Sequence, residues 1–113
     1  MAKIFDPATG TLLAAFKDLT RVPSAVYKEY GDEVLILDFK GNRLQDGKNL
    51  KRFPNLHTLV LDDNGLETLD CIPVLPKVHT LWLNNNQLSN LPGIYLSNQF
   101  LCMLYVCMYV CYY

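Results

Sequence analysis

The sequence predicts a short α/β solenoid, with a parallel sheet on its concave side and short helical or irregular arcs on its convex side. Three copies of one pattern support this fold class. They read VLILDFKGNRL at 34–44, LHTLVLDDNGL at 56–66 and VHTLWLNNNQL at 78–88. The copies recur every 22 residues, and self-similarity at a fixed period of this size is typical of repeat architectures, in which each unit packs on its neighbours.

Each copy carries the alternation of a half-buried strand, followed by an asparagine where the chain turns. If each copy is numbered from its first residue, positions 1, 4 and 6 are apolar throughout, position 9 is asparagine and position 11 is leucine. The alternation predicts a strand, and stacked copies predict a parallel sheet with strands about 4.8 Å apart. An asparagine amide at the turn can bond backbone groups of its own coil and of the next one. Asn42, Asn64 and Asn86 are therefore predicted to form a structural column.

The segments that return from one strand to the next are less regular. Prolines at 54, 73, 76 and 92 argue against long helices there. We therefore expect short 3₁₀ or single-turn arcs on the convex side. The pattern stops after Ile94, because a fourth asparagine would fall where Met108 stands. This predicts three repeats over residues 34–94.

Residues 1–33 are predicted to be an N-terminal cap and a partial repeat. Turn signals at Asp6 and Gly10 separate two short apolar runs, which predicts a hairpin over the open end of the first repeat. A short helix follows, and we expect Ser24 to be its N-cap and Gly31 to end it.

The apolar tail 95–113 is predicted to lie outside the solenoid. Residues 105–111 read YVCMYVC, which is the translation of a repeated TATG, so we hypothesise that 93–113 come from a translated intron or a displaced exon boundary. Two other interpretations stay open. One is a packed last strand, which the residue types suit. The other is a membrane anchor, although the apolar run 100–113 is shorter than the roughly 20 residues of a typical span.

Composition and motifs exclude several function classes. The net charge of −1 gives no long-range attraction for nucleic acid or anionic lipid. The sequence has no phosphate-cradling glycine loop, metalloprotease motif or nucleophile elbow, so we expect no enzyme, no cofactor and no small-molecule substrate. The four cysteines form no C-x-x-C pair and no zinc-knuckle spacing, and the start lacks a signal peptide pattern. We therefore expect an intracellular protein, cytoplasmic or nuclear, that is not secreted.

The candidate binding surface is the concave side of the predicted sheet, because side chains between the buried positions point away from the core. Trp82 is the strongest candidate for a contact residue, since it is the single tryptophan and falls at position 5. Exposed tryptophans are enriched among interface hot spots. The competing interpretation is that Trp82 only covers the neighbouring sheet edge or the tail. The predicted partner-binding residues are Trp82, Val60, Asp38, Thr58, Thr80, Asp62 and Asn84.

Two further groups of polar residues are interpreted as solvent-exposed surface residues without a binding role. His57 and His79 occupy position 2 in adjacent copies, and two histidines are too few for a zinc site, although they could give a weak pH response. Lys48, Lys51 and Arg52 lie on the first return arc. Three cations without interleaved aromatics are too few for nucleic-acid binding, so a solvated convex face is expected.

The template L-x-x-L-x-L-x-x-N-x-L over residues 34–91 resembles the leucine-rich repeat of the 22-residue intracellular class. This resemblance implies a non-enzymatic scaffold that binds a protein partner on the concave sheet. The segments IFD, LTRVP, EVLILDFKGNRL and LPKVHTLWLNNNQL are similar to the family of leucine-rich melanocyte differentiation-associated proteins, which implies a link to melanocyte differentiation and organelle trafficking. Two alternatives are a truncated splice or read-through product with no stable binding function, and an adaptor in an RNA–protein complex, which the neutral charge disfavours.

Overall fold

The protein was analysed as a computed structural model, which describes residues 4–88 and the backbone of 105–107. Within these residues, six short strands form one mixed sheet in chain order. They are β1 (Phe5–Asp6), β2 (Thr11–Leu13), β3 (Ile36–Asp38), β4 (Thr58–Val60), β5 (Thr80–Trp82) and β6 (Tyr105–Cys107). A seven-residue helix, α1 (Ser24–Tyr30), and a 3₁₀ helix (Lys48–Arg52) lie on the connections between strands.

The strands of the three sequence copies pair in parallel, which confirms the parallel sheet predicted from the repeat. Leu37 lies opposite Leu59 and Leu59 lies opposite Leu81, so the register follows the 22-residue period. Each pair of neighbouring strands therefore places equivalent positions side by side. β6 continues the sheet beyond β5, with Val106 opposite Leu81.

The core consists of the apolar positions of each copy stacked behind the sheet. Leu59 and Leu81 belong to it, and both are almost fully shielded from solvent. Burying a leucine side chain stabilises a fold by roughly 1.5–3 kcal/mol. The same layer contains the buried residues of positions 1, 4, 6 and 11, which are Val34, Leu37, Phe39, Leu44, Leu56, Leu59, Leu61, Leu66, Val78, Leu81, Leu83 and Leu88. The leucine frame of the sequence is thus the contact surface between coils.

The N-terminal hairpin forms as expected, and its second strand does more than cap the sheet. β1 pairs antiparallel with β2, with Phe5 opposite Leu12. β2 also pairs in parallel with β3, where Leu12 lies opposite Leu37. Leu12 and Ala14 are buried in the places that positions 4 and 6 occupy in later coils. Residues from 11 onward therefore form a first coil that lacks the sequence signature of the others.

The expectation that Ser24 caps helix α1 is wrong. The N-cap is Pro23, and Ser24 is already the first helical residue, where its hydroxyl makes no capping hydrogen bond. Gly31 does follow the last helical residue, but with φ −49° rather than in the left-handed region. Glycine is needed there because a Cβ would lie 2.6 Å from the carbonyl oxygen of Arg52. The close approach of two backbones, not a turn conformation, explains this residue.

The return arcs are short, as the prolines predict. The first contains the 3₁₀ helix, with Leu50 and Phe53 buried, and the second has no helix but buries Leu69, Ile72 and Leu75. The predicted third arc lies outside the described residues. So does most of the tail 95–113, where only the backbone of β6 is described. The domain boundaries expected at residues 33 and 94 stay a prediction.

The part of the chain that the structure describes contains no helix that is long and apolar enough to cross a membrane.

Candidate functional site

The turn after each strand is held by a buried asparagine that links two coils. The Oδ1 atom of Asn86 accepts the backbone N–H groups of Asn64 at 2.9 Å and of Leu66 at 3.0 Å. Its Nδ2 atom donates to the carbonyl oxygen of Leu61 at 2.9 Å. One side chain thus satisfies three backbone groups of the preceding coil, which would otherwise be buried without partners. Asparagine suits this position because its amide both donates and accepts.

Asn64 and Asn42 make the same kind of link one and two coils earlier. Asn64 donates to the carbonyl oxygen of Phe39 at 3.0 Å. Asn42 donates to that of Ala14 at 2.8 Å and accepts the N–H of Lys17 at 3.0 Å. The column therefore reaches back into the first coil, although that coil has no asparagine of its own at position 9. It fixes the spacing of the strands that carry the candidate surface.

The side of the sheet that faces away from the core carries the predicted contact residues, and we call it the non-core face. It consists of the residues at positions 3 and 5 of each coil, in the numbering of the sequence copies. Position 3 contributes Thr11, Ile36, Thr58 and Thr80, and position 5 contributes Leu13, Asp38, Val60 and Trp82. At about 4.8 Å between strands, the row from Leu13 to Trp82 extends roughly 14 Å across the sheet.

The predicted contact residues of the strands lie together on this face. Trp82, Val60, Asp38, Thr58 and Thr80 are all half-buried, and none of them belongs to the core. Because each one is an immediate neighbour of another through strand pairing, they form one continuous surface.

Asp62 and Asn84 lie just beyond the strands and differ from the rest of the predicted set. The Oδ1 atom of Asp62 accepts the backbone N–H of Asn84 at 2.7 Å, and Asp62 is only 9% exposed. The carboxylate thus bonds the backbone of the next coil and offers little area to a partner. Asn84 is half-buried beside it. Asn84 is therefore more accessible to a partner than Asp62, at the margin of the non-core face.

Sequence reasoning missed the apolar end of the face, which the first coil supplies. Leu13 is 47% exposed and Phe16 is 70% exposed. Phe16 has φ +56°, a left-handed conformation that is unusual for a bulky residue. A Cβ on Gly41 would overlap Cδ1 of the Phe16 ring, so the glycine makes room for the ring. Aligning TLLAAF with ILDFKG would have placed Leu13 at position 5 and Phe16 at position 8.

The same left-handed turn follows each of the four strands β2, β3, β4 and β5. Position 8 has positive φ in each coil: 72° at Gly41, 56° at Asp63 and 57° at Asn85. Glycine, aspartate and asparagine tolerate this conformation best. Phe16 occupies the same place in the first coil at a cost of roughly 1–3 kcal/mol. Lys40 lies over its ring, with Nζ 6.0 Å from the centroid.

His57 and His79 stack at one end of the non-core face. Their ring centroids are 4.9 Å apart and the planes differ by 9°. Each Nδ1 lies within hydrogen-bond distance of the hydroxyl of the following residue, Thr58 or Thr80. Burial, and then the charge of His79, lowers the pKa of His57. Stacked rings direct their in-plane nitrogen atoms along parallel lines, which do not converge on one metal ion, and the described residues contain no group of three or more metal-binding side chains.

The cations of the first return arc are separate from this face. Lys48, Lys51 and Arg52 belong to the exposed side of the 3₁₀ helix. The guanidinium carbon of Arg52 lies 5.6 Å from the ring centroid of Tyr27, on helix α1. The three cations therefore do not combine into one patch with the contact residues.

Comparison with known proteins gives one match. No curated protein and no solved structure matches the chain. Residues 54–98 match the family model described as leucine-rich repeats, in two copies. With a mixed sheet, few helices and the asparagine column, this match supports an α/β protein of the leucine-rich repeat type.

Proposed function

We propose that this chain is a non-enzymatic interaction scaffold that binds a protein partner on the non-core face, which would be the concave side of a short solenoid. Leucine-rich repeats generally mediate protein–protein interaction. The observation that carries the proposal is the unbroken parallel register from β2 to β5, which aligns Leu13, Asp38, Val60 and Trp82 in one row.

The chemistry of this row suits a protein partner. Three of its four members are apolar and partly exposed, so contact with a partner would remove further apolar surface from water. Asp38 interrupts the row with one carboxylate, whose Oδ1 accepts the N–H of Lys40 at 3.2 Å. A fixed charge between apolar contacts favours one orientation of the partner. Because strands hold these side chains, little conformational entropy is lost on binding.

Trp82 is the proposed anchor, since large aromatic side chains near the centre of an interface often dominate its energy. The test is affinity capture of partners by the full chain, quantified by mass spectrometry, with Trp82→Ala as the variant. A hot-spot loss of about 2 kcal/mol corresponds to a roughly 30-fold weaker complex. Glu67→Ala, at an exposed position on the second return arc, is the matched control.

Equal partner recovery by wild type and Trp82→Ala, with both proteins folded by circular dichroism, would contradict binding on this surface. Lower recovery by both Trp82→Ala and Glu67→Ala would indicate a general loss of folding, which a thermal melt would detect. The alternative of a truncated product without a binding role predicts that neither wild type nor control recovers any partner above background.

Two finer proposals rest on the sequence alone. Cysteine usage supports an intracellular, cytoplasmic location. The IFD and LTRVP segments support a role connected with melanocyte differentiation or organelle trafficking. Localisation of a tagged full chain in pigment cells tests both, and a secreted product would contradict the first.

A further inference from the structure

A second surface lies between the first and second return arcs, where they lead into β4 and β5. A groove of about 270 Å³ opens there, away from the non-core face. Residues of two successive coils line it: Lys51, Phe53, Pro54 and Leu56 from one, and Val74, Leu75, Pro76 and Lys77 from the next. Two pairs among them are equivalent positions of the repeat, Phe53 with Leu75 and Pro54 with Pro76. The repeat thus builds a recess between its coils that the partner surface described above does not use.

The interior of the groove is apolar. Phe53, Leu56 and Leu75 are core residues that form its floor. Val74 stands beside them and is 48% exposed, so its side chain is accessible to a ligand. Pro54 and Pro76 contribute no backbone N–H to the groove, so these two residues donate no hydrogen bond to a ligand. The groove therefore suits an apolar side chain.

Both charged residues that line the groove are cations. The Nζ atom of Lys77 donates to Oδ1 of Asn55 at 3.0 Å, and Nδ2 of Asn55 donates to the carbonyl oxygen of Asp32 at 2.9 Å. These bonds hold the Lys77 ammonium beside the groove without neutralising it. Lys51 makes no ion pair with any described residue.

Acidic residues lie near both cations but outside the groove. Asp46 and Asp70 border a neighbouring depression that Lys51 also lines. Asp32 lies beside Asn55, the hydrogen-bond partner of Lys77. No acidic side chain lines the groove itself.

We propose that this groove binds a short acidic peptide segment of a partner protein, with one apolar side chain in the recess and carboxylates toward Lys77 and Lys51. The charge complementarity selects an acidic ligand, and the apolar floor selects a peptide over nucleic acid, because the one aromatic residue of the groove, Phe53, is buried and unavailable for base stacking. An anionic membrane would need more cations than these two. No residue of the non-core face lines the groove, so the two surfaces share no residue.

The test is a peptide array incubated with the full chain. Each member has one central apolar residue between two pairs of glutamates, and a matched member has glutamines instead. We expect binding to the acidic members only, and a binding constant that weakens with salt. The tightest member is then synthesised with a fluorophore and titrated by anisotropy.

Three variants locate the bound peptide. Lys77→Gln and Lys51→Gln are each expected to weaken binding about two- to fivefold, as for exposed charge pairs. Val74→Asp, at an exposed position, is expected to weaken it at least about tenfold by placing a like charge in the recess. Lys48→Gln, outside the groove, and Trp82→Ala, on the other surface, should leave binding unchanged.

Equal binding of glutamate and glutamine peptides, no binding by either, or a Val74→Asp variant that binds as wild type would overturn the proposal. Vesicles containing phosphatidylserine serve as a second probe. Vesicle binding that requires Lys77, without peptide binding, would also overturn it in favour of a membrane surface. Loss of peptide binding on Trp82→Ala would place the peptide on the non-core face instead.

Discussion

Removing the Asn86 amide should destabilise the fold more than the same substitution one coil earlier. In Asn86→Ala, the buried N–H groups of Asn64 and Leu66 lose their acceptor, and the carbonyl oxygen of Leu61 loses its donor. In Asn64→Ala, only the N–H of Leu44 loses its partner. The carbonyl oxygen of Phe39 still accepts from Asn42 at 3.0 Å, and that of Asp62 still accepts from the N–H of Gly41 at 2.9 Å.

The magnitudes follow from the number of buried groups left without a partner. Each costs about 1–3 kcal/mol. With one group affected, Asn64→Ala should lower the free energy of unfolding by about 1–3 kcal/mol, and with three groups affected, Asn86→Ala should lower it by about 3–9 kcal/mol. The larger value is comparable to the whole stability of a small domain, roughly 5–15 kcal/mol. Asn86→Asp keeps the acceptor but buries a charge whose second oxygen faces the carbonyl oxygens of Leu61 and Leu83, so it should destabilise the fold at least as much as alanine.

Urea denaturation followed by tryptophan fluorescence measures these differences, because Trp82 is the single tryptophan of the chain. Asn55→Ala is the matched control. Asn55 is less buried and bonds a lysine and a carbonyl at the surface, so its loss should cost no more than about 1 kcal/mol. An equal decrease in the free energy of unfolding for Asn64→Ala and Asn86→Ala, or a larger decrease for Asn64→Ala, would refute the claim that stability follows the number of backbone groups left without a partner.

Two further predictions concern glycine and histidine. Gly41→Ala and Gly65→Ala should each destabilise the fold by about 1–2 kcal/mol in urea denaturation, because both glycines have positive φ. Only Gly41→Ala should also weaken partner recovery, since its Cβ displaces the Phe16 ring, and unchanged recovery would exclude Phe16 from the interface. For His57, a folded-state pKa below 6.5 means that the unfolded chain binds more protons as pH falls, so stability decreases on acidification below about 6.5. His57→Gln should reduce this decrease between pH 7.5 and 5, and an unchanged pH slope would show that His57 contributes nothing to it.

The sequence predicted those parts of the fold that repeat. The 22-residue period predicts the register of β3, β4 and β5, because a stacked coil must bring equivalent residues together. It did not reveal the first coil. Leu12 and Ala14 replace the leucine frame there, and no asparagine follows, since Asn42 supplies the hydrogen bonds from the next coil. The other neighbour of β2 is the antiparallel strand β1, which needs no bonds from an asparagine at position 9, so the first coil can lack that residue.

The candidate surface was predictable only in part for the same reason. Alternation along a strand places Val60 and Trp82 away from the core without any structure. It gives no information about Leu13, whose strand was assigned to a cap. Nor does it distinguish Asp62 from its neighbours, because the bond from Asp62 to the backbone of the next coil depends on the local path of the turn. The groove beside Lys77 joins residues about 20 positions apart, so only the stacked coils reveal it.

The most direct test of partner binding on the non-core face is fluorine NMR of a chain labelled with fluorotryptophan. Because the chain has a single tryptophan, the spectrum reports on Trp82 alone, and an unlabelled partner adds no signal. Titration with a partner recovered by affinity capture should shift this resonance and abolish its sensitivity to deuterated solvent, because the ring is removed from water. A saturated complex in which the Trp82 resonance keeps its position and its solvent sensitivity would contradict the proposed interface.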